Sequence, residues 1–169
     1  DTACNLSSLN LKKFQEPDGS INVERFRRAS AIFITAQEIL VDHASYPTPA
    51  IAENSHRYRP LGLGYANLGS LLMSMGIPYD SDAGRALAAS ITSLMTGTAY
   101  KRSAELASVV GPYEGYARNA DAHKRVMRKH AAANDAIRTI TTLDKDVHAV
   151  ATQVWADVIA LGELNGYRN

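Results

Sequence analysis

The sequence predicts a mainly α-helical protein with one short strand at its amino end and about six helices. After residue 22, apolar residues recur mostly at steps of three and four, which is the spacing of a helix with one buried face. Before that point, Asn5–Leu11 alternates polar and apolar residues, as a half-buried strand does. A chain of 169 residues, 46% of them hydrophobic, is also long enough to bury a core.

Net charge and hydropathy argue against two classes of partner, nucleic-acid polymers and membranes. Eighteen Lys and Arg residues against seventeen Asp and Glu residues give a formal net charge of +1, so no excess of positive charge predicts binding to a nucleic-acid polymer. No apolar run is long enough to cross a bilayer, so no membrane partner is expected. The opening residues also lack the basic and apolar segments that direct secretion.

The first part of the chain is predicted to hold the strand and two helices. A turn at Glu16–Ser20 follows the strand, and Asn22 is placed to cap the first helix. The prolines of Tyr46–Pro49 end that helix, and a short helix with a basic end is expected over Ala50–Arg59, where Pro60 breaks it. The first helix is expected to bury one apolar stripe, formed by Val23, Phe26, Ala29, Ile32, Phe33, Ala36, Ile39 and Leu40.

The next segment, Leu63–Met75, is predicted as a helix that is buried on several sides. Apolar residues occur nearly all round it, and its small residues would permit close packing. Gly76 and Pro78 end it in the order that is usual at a helix carboxyl end. No second strand is visible here, so the amino-terminal strand is expected to lack a partner within the chain.

Three further helices are expected in the second half. Asp80 or Ser81 caps the first of them, and Gly97 is expected to interrupt it before it resumes over Ala99–Val110. A basic, polar helix is predicted over about Ala120–Arg138. The last helix is amphipathic and ends before Gly166; its apolar positions are Val147, Val150, Val154, Trp155, Val158, Leu161 and Leu164.

Three patterns invite a functional interpretation, and each has a simpler one. Glu53 and His56 have the spacing of a di-iron carboxylate pair, but the second pair that such a site needs is missing, so a polar surface is the better interpretation. His123 and His130 share one face of the basic helix, where a solvated face is expected. The glycines of Gly62–Gly69 match neither the dinucleotide fingerprint nor the P-loop, and helix packing explains them better.

The single cysteine, Cys4, is the candidate catalytic residue. A lone cysteine can form neither an internal disulfide nor a tetracysteine zinc site, and without an export signal it fits a reducing cytoplasm. Free cysteines are most often small buried residues. Cys4, however, stands at the start of a strand, and strand ends often carry active-site residues in α/β barrels.

Four blocks follow one another in a fixed order along the chain: Thr2–Leu11, Arg59–Gly69 with Gly76–Asp82, Gly111–Asn119 and Gly166–Asn169. Together they resemble the large catalytic subunit of ribonucleotide reductases. Their residues are similar to those of the adenosylcobalamin-dependent, class II enzymes of bacteria.

This resemblance implies a ten-stranded α/β barrel, of which residues 1–169 would form one partial domain. Residues 1–12 would be a barrel strand and residues 22–166 a helical layer. The abrupt ends and the missing initiator Met also favour an interior piece of a longer protein, whose main partner would be the rest of the barrel.

The chemistry implied by the resemblance is the conversion of ribonucleotides to deoxyribonucleotides. In that family adenosylcobalamin generates a thiyl radical on one cysteine, which takes the 3′ hydrogen of the substrate. Two other cysteines supply electrons as the 2′ hydroxyl leaves as water, and they end as a disulfide. Cys4 aligns with one member of this reducing pair, and its partner must lie outside this chain because there is no second cysteine.

Several parts of the family pattern have no counterpart here, including the thiyl cysteine and the phosphate-binding loop. We therefore expect the isolated chain to be inactive and to hold no adenosylcobalamin by itself. The ribonucleotide substrate and, indirectly, a thioredoxin-type reductant would be partners of the complete enzyme. The unpaired strand edge at Cys4–Leu11 also predicts a homodimer. The alternative is a stand-alone helical interaction or scaffold module in which Cys4 is structural.

Overall fold

The computed structural model describes residues 1–169 and contains two strands, six α-helices and one short 3-10 helix at Leu11–Phe14. The protein is thus mainly helical, as predicted. In chain order the elements are β1 (Asn5–Asn10), α1 (Val23–His43), α2 (Pro49–Tyr58), β2 (Leu61–Ala66), α3 (Leu68–Ser74), α4 (Asp82–Val110), α5 (Tyr116–Asp135) and α6 (Thr142–Asn165).

The prediction that the first strand lacks a partner is wrong. β1 pairs in parallel with β2, with Asn5 opposite Leu61 and Asn10 opposite Ala66. The predicted helix over Leu63–Met75 is therefore a strand followed by the shorter helix α3. Glycines at alternate positions of β2 weaken helix formation, and the strand gains its backbone partners from β1 instead.

Two residues with left-handed backbone conformations set the limits of β2. Arg59, with φ of 48°, ends α2, and Asn67, with φ of 67°, separates β2 from α3. Asparagine tolerates this conformation, whereas arginine adopts it rarely. The surroundings must therefore hold Arg59 in place, and its side chain is bound on several sides, as described below.

The buried face of α1 is not the predicted one. Its most buried positions include Phe26, Ile34 and Val41 together with the polar residues Ser30, Gln37 and Glu38. Much of the predicted apolar stripe faces outward: Ile32, Phe33, Ala36, Ile39 and Leu40 are exposed. The polar face is buried because its side chains have partners. Gln37 Nε2 donates to the carbonyl oxygens of Asn5 and Gly62, at 3.1 and 2.7 Å, and so bridges the two strands.

Helix α4 continues through Gly97, where the sequence predicted an interruption. The glycine allows α4 and α6 to approach closely. A Cβ at this position would lie 3.1 Å from Cγ1 of Val154 and 3.2 Å from Nε1 of Trp155. Leu87, Ile91, Leu94 and Met95 of α4 are buried in the common core, as their spacing predicted.

The last two helices agree with their predicted positions to within a few residues. α6 begins with a capping box between Thr141 and Asp144, and Gly166, with φ of 71°, follows its end. After Gly166 the chain turns back, and Tyr167 fills the core with 1% of its surface exposed. The carboxyl-terminal residues consequently reach the region around Arg59 that precedes β2.

Candidate functional site

Cys4 lies directly before β1 at the amino end of the sheet, and its side chain is exposed. The preceding backbone is fixed to α2, because the amide of Ala3 donates to Oγ of Ser55 at 2.9 Å. In parallel α/β barrels active sites gather at the carboxyl ends of the strands. Cys4 is at the opposite end of this sheet, so the general barrel rule does not by itself support a catalytic role.

The side of the sheet on which Cys4 lies is more informative. Asn5 points toward the helices, since its Nδ2 donates to the carbonyl oxygen of Gln37 at 3.1 Å. Cys4, Leu6 and Ser8 alternate with it and are exposed, and Leu6 keeps 78% of its surface accessible. The helical layer therefore covers one face of the sheet, and Cys4 belongs to the open face.

Gly62 of β2 leaves the space that the cysteine and its neighbour occupy. A Cβ at residue 62 would lie 2.3 Å from Cδ2 of Leu6 and 3.4 Å from Sγ of Cys4. The next glycine on the same face, Gly64, lies opposite Ser8. The open face is therefore flat beside the thiol, because these two glycines of β2 have no side chains.

The electrostatic surroundings favour the neutral thiol. Partial burial raises the pKa of Cys4 above its ordinary value, and no cation counteracts this effect. At neutral pH the side chain is therefore a thiol and not a thiolate. A cavity of about 150 Å3 adjoins it, lined mainly by the end of α1, the following loop and Pro60.

A buried ion-pair network fixes the chain before β2. Nε of Arg59 lies 2.7 Å from Oε1 of Glu38, and its two terminal nitrogens lie 2.8 and 2.9 Å from the carboxylate of Asp42. Arg168 reaches the same oxygen of Glu38 at 2.6 Å, and Asn169 donates to the carbonyl of Arg59. The hydrogen bond from Arg59 is the largest cause of the lowered pKa of Asp42.

The proposed spacing of Glu53 and His56 does not form a paired site. Glu53 binds Arg57 at 2.7 Å, whereas His56 Nδ1 lies 3.4 Å from Oδ1 of Asp42. Because Arg59 already binds the carboxylate of Asp42, His56 and Asp42 do not form a free pair of metal ligands. No group of three or more His, Cys, Asp or Glu side chains is placed to hold a metal ion.

The two histidines of α5 have different surroundings. His130 is exposed and stacks on Trp155. His123 is half buried, contrary to the expected solvated face: its ring stacks on Tyr167 with 4.6 Å between centroids, and its Nδ1 lies 3.2 Å from the hydroxyl of Tyr113. Burial lowers the pKa of His123, so the ring is neutral at physiological pH.

An aromatic cluster around His123 was missed by the sequence analysis. Tyr58, Tyr100 and Tyr113 join His123 in lining a cavity of about 440 Å3. Leu61 and Leu63 also line it, which places it on the helix side of β2 and away from the open face with Cys4. The tyrosines of Gly111–Tyr116 and Tyr167 are visible in the sequence as a possible sign of such a cluster. Their contacts, however, depend on how three separate helices pack together, which the sequence does not reveal.

None of the helices is both long enough and apolar enough to cross a membrane.

Comparisons with known proteins give one consistent result. The family model described as "Ribonucleotide reductase, barrel domain" matches residues 1–169. The chain is 57% identical to a vitamin B12-dependent ribonucleotide reductase of Streptomyces avermitilis and 53% identical to one of Rhodopirellula baltica. It is also 43% identical to a protein of the same description from Agrobacterium fabrum.

Each of these three matches covers the whole of the chain but only a small part of the relative. The chain spans 18% of the Streptomyces protein, 16% of the Rhodopirellula protein and 14% of the Agrobacterium protein. The relatives therefore contain much that has no counterpart among these 169 residues.

Proposed function

Because the chain belongs to the barrel-domain family of ribonucleotide reductases, we propose that it is an internal segment of a larger vitamin B12-dependent reductase that makes deoxyribonucleotides. In this proposal residues 1–12 contribute a strand of a ten-stranded barrel, residues 22–166 a helical layer, and Cys4 one thiol of the pair that reduces the substrate. The complete enzyme works in the cytoplasm, and this segment alone is inactive.

The observation that carries the proposal is the position of Cys4 on the open face of the sheet. In an α/β barrel the helices form the outer ring, and the face of the strands without helices lines the interior. The helices of this chain cover the face with Asn5, Ser7 and Leu9, and leave the face with Cys4 and Leu6 open. A thiol on that face is directed toward a substrate bound inside the barrel.

The proposed step uses two thiols and balances without a further reactant. The C–O bond to the 2′ hydroxyl of the ribonucleotide breaks, and a C–H bond replaces it. The hydroxyl leaves as water, and the two hydrogens that are needed come from Cys4 and from a cysteine outside this chain. Their sulfurs lose two electrons and close an S–S bond, which a dithiol reductant of the thioredoxin type reopens by exchange. The raised pKa of Cys4 keeps its hydrogen on the sulfur until the step occurs.

The residues of this segment do not fit a complete cobalamin site. The cavity of about 440 Å3 beside His123 has the size of a pocket for a drug-sized molecule, and a corrin cofactor is larger than that. That cavity also lies on the helix side of β2. We therefore do not expect this segment to hold adenosylcobalamin by itself.

The test compares Cys4→Ser with Ser8→Ala in the complete reductase, supplied with adenosylcobalamin, a dithiol reductant and either ribonucleoside diphosphates or triphosphates. Ser8 lies on the open face of β1 and Cys4 on the same side of the chain directly before that strand, so Ser8→Ala is a nearby change that leaves the sulfur in place. We expect Cys4→Ser to lose steady-state turnover by orders of magnitude and Ser8→Ala to keep it. Normal turnover of Cys4→Ser would show that this sulfur does not reduce the substrate.

The alternative of a stand-alone interaction module has one observation in its favour. The outward face of α1 exposes Ile32, Phe33, Ile39 and Leu40, a set of apolar side chains that proteins commonly cover. The same face would be covered inside a larger reductase. The comparison of Cys4→Ser with Ser8→Ala also distinguishes the two functions, because a scaffold role tolerates serine at residue 4.

A further inference from the structure

Cys4 stands just outside the paired region of the two strands. The register of β1 and β2 begins with Asn5 opposite Leu61. The residue next in register, beside Cys4, is Pro60, and a proline has no amide hydrogen to donate to a neighbouring strand. The backbone that carries the thiol therefore depends, more than the rest of β1 does, on hydrogen bonds from side chains.

A buried amide on α1 holds the residue that follows the cysteine. Gln37 is 2% exposed, and its Nε2 donates to the carbonyl oxygen of Asn5 at 3.1 Å. In return, Nδ2 of Asn5 donates to the backbone carbonyl of Gln37 at 3.1 Å. Sγ of Cys4 lies 3.7 Å from the same carbonyl oxygen of Asn5. A single carbonyl group thus separates the side chain of Gln37 from the thiol.

The same amide nitrogen also holds the strand beside the thiol. Nε2 of Gln37 donates to the carbonyl oxygen of Gly62 at 2.7 Å. Gly62 is the residue at which an added Cβ would lie 3.4 Å from Sγ of Cys4. Oε1 of Gln37, in contrast, is buried without a partner. The two strands therefore orient this amide, and the amide fixes the spacing between the cysteine and the glycine.

A buried hydroxyl on α2 holds the residue that precedes the cysteine. Ser55 is 1% exposed, and its Oγ accepts a hydrogen bond from the amide of Ala3 at 2.9 Å. Two helices thus hold the two chain neighbours of Cys4 from buried positions. Because Gln37 and Ser55 are almost fully buried, neither can bind a molecule on the open face, and any effect on such a molecule must pass through Cys4.

We infer that Gln37 and Ser55 are positioning residues for the substrate-reducing thiol of Cys4, an inference that rests on the function proposed above. A disulfide closes only when the Cα atoms of its cysteines lie about 4.4–6.8 Å apart. A shift of the backbone at Cys4 would therefore move its sulfur away from the sulfur of the partner cysteine. Misplacement of a reacting group by about 1 Å can lower a rate about 100-fold.

The experiment follows one turnover of the complete reductase, reduced beforehand, freed of external dithiol and supplied with adenosylcobalamin and ribonucleotide. Gln37→Met keeps an unbranched side chain and removes the amide. We expect it to slow product formation about 10- to 100-fold per folded molecule, with the folded fraction taken from circular dichroism. KM for the ribonucleotide in steady-state turnover should stay unchanged, because Gln37 does not touch the substrate.

Ser30→Ala is the matched control on the same helix. The hydroxyl of Ser30 is fully buried and donates to the carbonyl of Phe26 at 2.9 Å, within α1 itself. Its removal therefore costs a buried hydrogen bond without freeing either strand. We expect the single-turnover rate of Ser30→Ala to equal that of the wild type.

A second variant separates positioning from a general loss of stability. Ser55→Ala removes one oxygen atom and should also slow the single turnover. Because both side chains hold the same thiol, the double variant should lose less than the product of the two single losses, as coupled residues do. Ser55→Ala decides the outcome by itself if Gln37→Met does not fold.

The outcomes distinguish this inference from the function on which it rests. A wild-type rate for either Gln37→Met or Ser55→Ala, in a reductase that Cys4→Ser inactivates, would overturn the inference alone. Full activity of Cys4→Ser would overturn both. An equal loss in Ser30→Ala, or losses at Gln37 and Ser55 that multiply independently, would also overturn the inference, since either result indicates general destabilisation.

Discussion

At the scale of single residues, glycines decide which side chains can lie where. Gly162 in α6 has no space for a methyl group, because a Cβ there would overlap the ring of Tyr167, whose hydroxyl donates to the carbonyl of Val158 at 3.0 Å. Gly69 in α3 meets nothing closer than 4.0 Å. The same substitution should thus have opposite effects at these two helical positions.

We predict that Gly162→Ala lowers the free energy of unfolding by about 1–3 kcal/mol, because the added methyl overpacks a well-filled core. Gly69→Ala should raise it by up to about 1 kcal/mol, since alanine favours the helix and has room. Urea denaturation followed by circular dichroism measures both. Equal effects of the two variants would show that Tyr167 does not pack against Gly162 as described.

The thiol of Cys4 gives a second prediction at this scale. Partial burial raises its pKa, and only the thiolate is alkylated, so the reaction with iodoacetamide should accelerate at a higher pH than it does for a cysteine in an unstructured peptide. Because the folded state holds this proton more tightly than the unfolded state, ionisation of Cys4 also lowers stability as the pH rises above the unfolded pKa. A midpoint of reactivity below that of the peptide would contradict the assigned surroundings.

At the scale of elements, the network of Glu38, Arg59 and Arg168 joins α1, the start of β2 and the carboxyl-terminal residues. Arg59 keeps only 4% of its surface exposed. A buried ion pair contributes little relative to an apolar pair, but the removal of one partner leaves a charge without compensation. The network therefore holds β2, and the glycine beside Cys4, in register.

We predict that Arg59→Met lowers the free energy of unfolding by about 3–5 kcal/mol, because Glu38 then stays buried with less compensation. Arg85→Met is the control, since that arginine forms ion pairs with Asp80 and Asp82 on the surface, where solvent screens them, and its loss should change the stability little. Thermal unfolding of both variants provides the comparison. A cost for Arg59→Met as small as that of Arg85→Met would show that the network does not hold the sheet.

Helices and strands differ in how well they can be predicted from the sequence. Most of the buried positions of α4 and α6, among them Leu87, Ile91 and Val158, were predicted correctly because helical spacing is a local signal. β2 was missed because its partner β1 lies more than fifty residues earlier, and a parallel pair leaves no turn between its strands. The buried face of α1 was assigned incorrectly because burial of Gln37 and Glu38 depends on partners in β2 and at Arg59, which spacing along one helix does not reveal.

The candidate site was accessible from the sequence only in part. The alternation after Cys4 indicated a strand, and the family blocks singled out the thiol. The direction of its side chain required the structure, since Gly62 and the Asn5–Gln37 contact define the open face.

At the scale of the whole molecule, two surfaces suit further partners: the open face of the two-stranded sheet and the outward face of α1. A two-stranded sheet with free outer edges is a template for additional strands. In the complete reductase, as proposed above, further strands would pair with the edges of this sheet, its open face would line the barrel interior, and other parts of the protein would cover the outward face of α1. The isolated chain exposes them instead.

We accordingly predict that the isolated chain forms a homodimer through its amino-terminal strand. Size-exclusion chromatography coupled to light scattering measures this, with circular dichroism to show that the helices are formed. Leu6→Lys, which places a charge on the open face, should shift the equilibrium toward the monomer. A wild-type chain that is folded and strictly monomeric at high concentration would contradict the prediction.

The central claim, that Cys4 is half of the substrate-reducing pair, is tested most directly by the oxidation state of its sulfur after one turnover. The complete reductase is reduced, freed of external dithiol and allowed to convert ribonucleotide once; it is then alkylated and mapped by mass spectrometry. We predict that Cys4 is recovered in a disulfide with a cysteine outside residues 1–169, in proportion to the deoxyribonucleotide formed. Recovery of Cys4 as an alkylated free thiol from enzyme that has formed its product would contradict the claim.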